Sequence, residues 1–222
     1  MPQRFLLIIT CCLLQLSLQL QVLGETKYFL VTELANAVVH RDSFVVGLTN
    51  PVLIAHARAL ITQGLAAGSP IVFADISVGG DGINRDLLKA DAPAWSWHVT
   101  QVTGFGDLGI ELLDGWPTFV EKDVQGWIKN TGGHIGFWNY TVTAELPFRP
   151  RIDGLAMNQD HILLSLDKLT PPFPVAIETT TNLTVLDWRL HSTSVPENLK
   201  TNLSMLLQPG STFIRLRVAG QP

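Results

Sequence analysis

Cysteine is nearly absent from this 222-residue chain: only Cys11 and Cys12 occur, side by side within one apolar stretch near the N-terminus. From Glu25 onward there is no thiol at all, which excludes disulfides, thiolate metal ligands and a cysteine nucleophile from that part of the chain. A chain of this length can bury enough apolar surface to fold without such cross-links. Charge is also sparse, with 15 Lys and Arg against 19 Asp and Glu and a net charge of −4. The basic residues are scattered, so no footprint for a nucleic-acid backbone forms and an anionic membrane surface is not favoured as a partner. Gly-x-Ser-x-Gly, Gly-Lys-Ser/Thr and His-Glu-x-x-His are all missing, which removes the common hydrolase, phosphate-loop and zinc signatures. Neither an internal repeat nor a low-complexity linker interrupts the chain.

What is present begins with Arg4 and an apolar run from Phe5 to Leu20, broken only by Thr10, Gln15, Ser17 and Gln19. Val22-Leu23-Gly24 follows, and the first acidic residue is Glu25. This pattern predicts a secretory signal over residues 1–24, cleaved before a secreted, extracellular mature chain. The competing reading is a spanning anchor, which the glutamines at 15, 19 and 21 disfavour because each amide would need a partner in lipid. No stable membrane anchor is expected after cleavage. Three Asn-x-Ser/Thr triplets, at Asn139, Asn182 and Asn202, are candidate glycosylation sites in a eukaryotic secretory pathway, where each side chain would have to face solvent.

Periodicity predicts an α+β fold, mainly antiparallel β with one or two short helices, followed by a β-rich C-terminal region. Tyr28–Leu34 and Ser43–Leu48 have the branched and aromatic content of strands. Asn50 can cap a helix that Pro51 opens, with Leu53, Ala57, Leu60 and Ile61 on one face and glycines 64 and 68 ending it. Further strands are expected over 69–78, 95–99, 110–113 and 135–142, and a helix from Pro117 through Ile128. Beyond Pro147, Pro150 and Asp153-Gly154, strands are expected over 161–167, 174–179, 182–190 and 211–218. Residues 198–207 fit a strand or a helix equally. The expected organisation is a mixed domain over 25–148 and a β-rich domain or sheet extension over 155–222.

Five of the six tryptophans fall between residues 95 and 138, along with His98, Glu111, Asp114 and His134. Tryptophan offers a broad apolar face with a polar edge, suited to sugar stacking or to anchoring a protein interface. Trp95, Trp97, His98, Trp116 and Trp138 are therefore candidate binding residues for an extracellular carbohydrate or protein. The competing assignment places most of these rings in the core. Trp95 and Trp97 share one side of a strand and His98 takes the other, but alternation does not say which side is buried. His98, Glu111, Asp114 and His134 form the best candidate set for a divalent metal and a metal-assisted hydrolase, although no short spacing ties them together. Asp81, Asn84 and Asp86 offer too few oxygens for a calcium site. Arg58 could pair with Asp75 or Asp114 to tie the helix to a sheet. A matrix or envelope protein acting through assembly is the third functional class.

The order of several short motifs resembles a little-characterised secreted domain family typified by the N-terminal domain of the slime-mould protein BP-seventy-four. The resemblance rests on Phe44-Val45-Val46-Gly47-Leu48, Asn50-Pro51-Val52-Leu53-Ile54-Ala55-His56-Ala57-Arg58 and Ile71-Val72. It continues through Pro93-Ala94-Trp95-Ser96-Trp97-His98 and Ile110-Glu111-Leu112-Leu113-Asp114, covering roughly residues 43–145. The family tends to carry Asp-Pro where this chain has Asn50-Pro51, and a cysteine where it has Leu113. The resemblance implies export and a compact fold; the family has no settled enzymatic mechanism, and the cysteine-free sequence here inherits no disulfide from it.

Overall fold

A computed structural model of the chain describes residues 25–36, 38–107, 113–158, 160–184, 187–206 and 212–219. The expected leader over 1–24, both cysteines and Glu111 lie outside the described residues. The fold is α+β and mainly antiparallel, with a β-rich C-terminal region, as the periodicity predicts.

The first sheet has the order β2-β1-β7, formed by β1 (Lys27–Glu33), β2 (Ser43–Leu48) and β7 (Tyr140–Leu146). The second has the order β4-β3-β6-β5, from β3 (Ile71–Val78), β4 (Trp97–Gly106), β5 (Asp114–Gly115) and β6 (His134–Phe137). All pairings are antiparallel except β5 with β6. The two sheets share one core in which Phe29, Val31, Phe44 and Val46 meet Val72, Ile76, Trp97 and Phe137. Phe44 lies at its centre, 4.0 Å from the Phe137 ring and 5.9 Å from Trp97.

Helix α1 (Pro51–Gln63) follows β2. Asn50 Oδ1 accepts from Val52 N–H and Pro51 occupies the first turn, so the local sequence sets the start. Its buried face carries Ala57 and Leu60. Arg58 clamps Glu145 of β7 through two nitrogens at 2.7 and 2.8 Å, so its partner is neither of the aspartates expected.

Two expected elements between residues 117 and 142 change. The helix expected from Pro117 through Ile128 is two helices, α2 (Pro117–Lys122) and α3 (Val124–Thr131). Asp123 separates them: its backbone is non-helical and its side chain accepts from Gly126 N–H, so one residue ends the first helix and caps the second. The strand expected over 135–142 is cut at Trp138-Asn139, where Asn139 adopts a left-handed backbone with φ 67°. Asparagine tolerates that conformation better than most residues, and it lets the chain leave the second sheet as β6 and enter the first as β7. The proline-rich stretch at 147–150 is followed by strand β8 (Arg151–Asn158), in which Asp153 sits at a register irregularity.

Strands β8, β9 (His161–Asp167) and β12 (Thr201–Leu206) form a third sheet, and β10 (Val175–Thr180), β11 (Arg189–Ser194) and β13 (Phe213–Val218) a fourth. Residues 198–207 thus contribute a strand, and the strand expected over 182–190 starts at Arg189 instead. Leu164, Leu166 and Met205 of one sheet pack with Val175 and Ile177 of the other, with Leu216 against them. This C-terminal region touches the first sheet through Tyr28 against Phe173, at 5.5 Å, and just past β7 Phe148 N–H donates to Thr170 Oγ1. Leu199 packs with Leu30, Val45 and Leu87.

Candidate functional site

Trp97 is fully buried and Trp95 is 7% exposed. Their rings stack at 6.1 Å, and Trp95 Nε1 donates to Ser43 O. These two tryptophans are core residues whose faces meet other side chains, and they present no binding strip. His98 is half-buried, with Nδ1 2.7 Å from Gly79 O. His134 places Nδ1 2.5 Å from Asp75 Oδ1, on the strand paired with β6. Asp114 lies opposite Gly136 in the β5–β6 pair. Among the described residues no three His, Cys, Asp or Glu side chains converge to hold a metal ion, and Glu111 is outside them. The metal set read from the sequence is therefore not assembled in the described structure. The loop acids serve the backbone instead: Asp81 Oδ1 accepts from Ile83 and Asn84 N–H, and Asp86 Oδ1 from Ser43 N–H and Oγ.

The remaining two candidate tryptophans reach the surface together. Gly115 and Phe137 are register partners in the parallel pair, so Trp116 and Trp138 leave neighbouring strands at the same end. Trp138 N–H donates back to Gly115 O at 3.1 Å. Trp138 is 51% exposed, and no ring stacks on it among the described residues. Trp116 is half-buried between two neighbours: His40 is stacked on it at 4.3 Å and 6°, and Phe119 at 4.8 Å and 29°. Phe119 is 42% exposed and meets Trp127 edge-on at 5.8 Å. Val38 and Val39, both exposed, immediately precede His40.

Buried acids hold this surface in place. Glu33 at the end of β1 is buried, and its carboxylate accepts from the backbone N–H groups of Val39, His40 and Arg41. Burial pushes its carboxyl up, but those three amides outweigh it and hold the group below its ordinary value. Asp42, fully buried, accepts from Thr118 N–H of α2 and from the Tyr140 hydroxyl of β7. Burial and the Asp42 carboxylate push the Tyr140 phenol far above its usual range, so it remains a donor. His40, Phe119, Val38, Val39, Glu33 and Asp42 were not among the residues singled out from the sequence. Phe119 had a local signal, being three residues from Trp116 at helical spacing. The stacking of His40 on Trp116 had none, because it depends on two distant loops meeting.

Of the three candidate glycosylation sites, Asn182 and Asn202 are exposed and Asn139 is half-buried at the left-handed turn. Asn182 Oδ1 accepts from Thr184 N–H and Oγ1, and Asn202 Oδ1 from Ser165 Oγ.

The sequence pattern of the BP-seventy-four N-terminal domain matches residues 25–149. No curated protein and no solved structure matches the chain. The match spans both N-terminal sheets and every element that carries the aromatic surface, more than half of the chain, and the protein therefore belongs to the BP-seventy-four N-terminal domain family.

Proposed function

We propose that this protein is a secreted extracellular binding protein that engages a protein partner through the surface formed by Val38, Val39, His40, Trp116 and Phe119. The observation that carries this reading is the state of Trp116. A sugar stacks on an open aromatic face, whereas the Trp116 ring is already engaged by His40 and Phe119. What reaches solvent is an apolar, pre-packed surface with two valines beside it and two buried carboxylates beneath. Such a surface loses little side-chain freedom on docking, which favours a protein interface. Trp138 supports a second reading, in which its unstacked ring receives a carbohydrate.

The full chain and a Trp116→Ser, Phe119→Ser double variant would be tested side by side on arrays of extracellular proteins and of glycans. The proposal expects a protein ligand that the double variant binds at least about tenfold more weakly. A glycan signal lost only in Trp138→Ala would move the assignment to the second reading. Unchanged binding of every ligand by both variants would remove the aromatic surface from function.

A further inference from the structure

Strands β2 and β4 are edge strands of different sheets. Each therefore presents backbone donors and acceptors on a side where no strand pairs. At one end these edges are closed by side chains. Ser43 N–H donates to Asp86 Oδ1 and Val45 N–H to Asn84 Oδ1, while Asn84 Nδ2 donates to Trp97 O on β4. The buried Asn84 amide thus bridges the two strands as a peptide group would, accepting from one edge at 2.9 Å and donating to the other at 2.9 Å.

Past Asn84 both strands run on, with a groove of about 720 Å³ between them. In an antiparallel ladder the bonding direction alternates, so Gly47 points its N–H and C=O the same way as Val45, away from β1. Val99 likewise follows Trp97 in pointing away from β3. Both residues line the groove. Gly47 is exposed and has no side chain to keep another backbone at a distance; a Cβ there would meet Thr26 at 3.0 Å and Tyr28 at 3.2 Å. Around these backbone groups stand Thr26, Thr49, Gln101 and Thr103, whose side chains make no hydrogen bond to other described residues. Among the described residues of the lining, Asp81 is the one charged side chain.

We infer that this groove binds an extended peptide, inserted between β2 and β4, whose main-chain amides continue the bridge that Asn84 begins and which carries a lysine or arginine opposite Asp81. A strand placed between two others spaces them by about 9.6 Å, twice the usual separation; β2 and β4 approach within 8 Å between Cα atoms, so their edges must part beyond Asn84 to admit the peptide. Main-chain pairing supplies affinity in this mode, while the hydroxyl and amide side chains select polar residues on the ligand. The site is separate from the aromatic surface and shares no residue with it.

The test uses the full chain and an array of N-acetylated random decapeptides. The tightest binder is then resynthesised with N-methyl groups on its odd or on its even residues. Insertion between two edges requires that both methylated forms lose at least about tenfold in affinity, because alternate amides face opposite strands. Peptide binding should slow hydrogen exchange at the Gly47 and Val99 amides. Asp81→Asn, which keeps the oxygen accepting from Ile83 and Asn84, should weaken lysine- or arginine-bearing peptides about tenfold and leave neutral ones unchanged. The Trp116→Ser, Phe119→Ser variant should bind the peptide normally, so failure here is distinct from failure of the aromatic surface. Absence of any array binder, loss in only one methylated form, or binding without protection of Gly47 and Val99 overturns the inference. A groove that retains glycans and no peptide overturns it as well.

Discussion

Glu33 converts one buried carboxylate into the anchor of a whole loop. Its oxygens take three successive backbone N–H groups, and the loop they fix delivers Val38, Val39 and His40 to the surface. The group's folded-state pKa lies below its unfolded value near 4.5. The stability it contributes is therefore fully present above that value and is lost as pH falls through the folded pKa. Partner binding should accordingly weaken in the native protein as pH falls below the unfolded value and through the lower folded one, and be weak at neutral pH in Glu33→Gln, where one acceptor oxygen becomes a donor. Glu33→Gln should also lower stability by about 1–3 kcal/mol, measurable by urea denaturation. A neutral-pH affinity equal to wild type would show that the loop holds itself.

At the scale of the element, β4 and the turn after β6 put chemically identical side chains to opposite uses. Trp97 of β4 fills the space between the sheets, and its truncation to alanine should cost about 3–5 kcal/mol. Trp138 stands on the turn, and Trp138→Ala should change stability by no more than about 0.5 kcal/mol. Chemical denaturation of the two variants separates these roles, and equal losses would contradict the packing described. The same contrast marks what is legible in the sequence. Helix α1 is readable because its cap, its proline and its apolar spacing are all local. The strand periods of β1, β2, β3 and β9 are readable for the same reason. Alternation in Trp95-Ser96-Trp97-His98 pairs the two tryptophans on one side but is silent on which side is buried, since that is decided by Phe44 and Phe137. The break at Asp123 escapes because Val120, Val124, Trp127 and Ile128 keep a helical spacing across two helices. The break at Trp138-Asn139 escapes because apolar residues continue through it into a different sheet.

For the whole molecule, the described structure has two N-terminal sheets around an aromatic core and two C-terminal sheets around an aliphatic one. They meet through Tyr28 and Phe173 and through the cluster that joins Leu199 to Leu30. Among the described residues no helix is long and apolar enough to cross a membrane. Export and glycosylation belong to the proposal, and they make a joint prediction. The product released by eukaryotic cells should begin near Glu25, and glycosidase treatment should remove the mass of glycans at the exposed Asn182 and Asn202. A released product that still begins at Met1 would contradict the signal reading.

The crossing at Trp138-Asn139 is a covalent stitch between the two N-terminal layers, and the most exposed tryptophan sits on it. Any slip of one layer over the other must pass through that stitch and turn its indole. The emission of that indole therefore reports on the seam, and a ligand resting on it would resist the slip as well as occupy the surface.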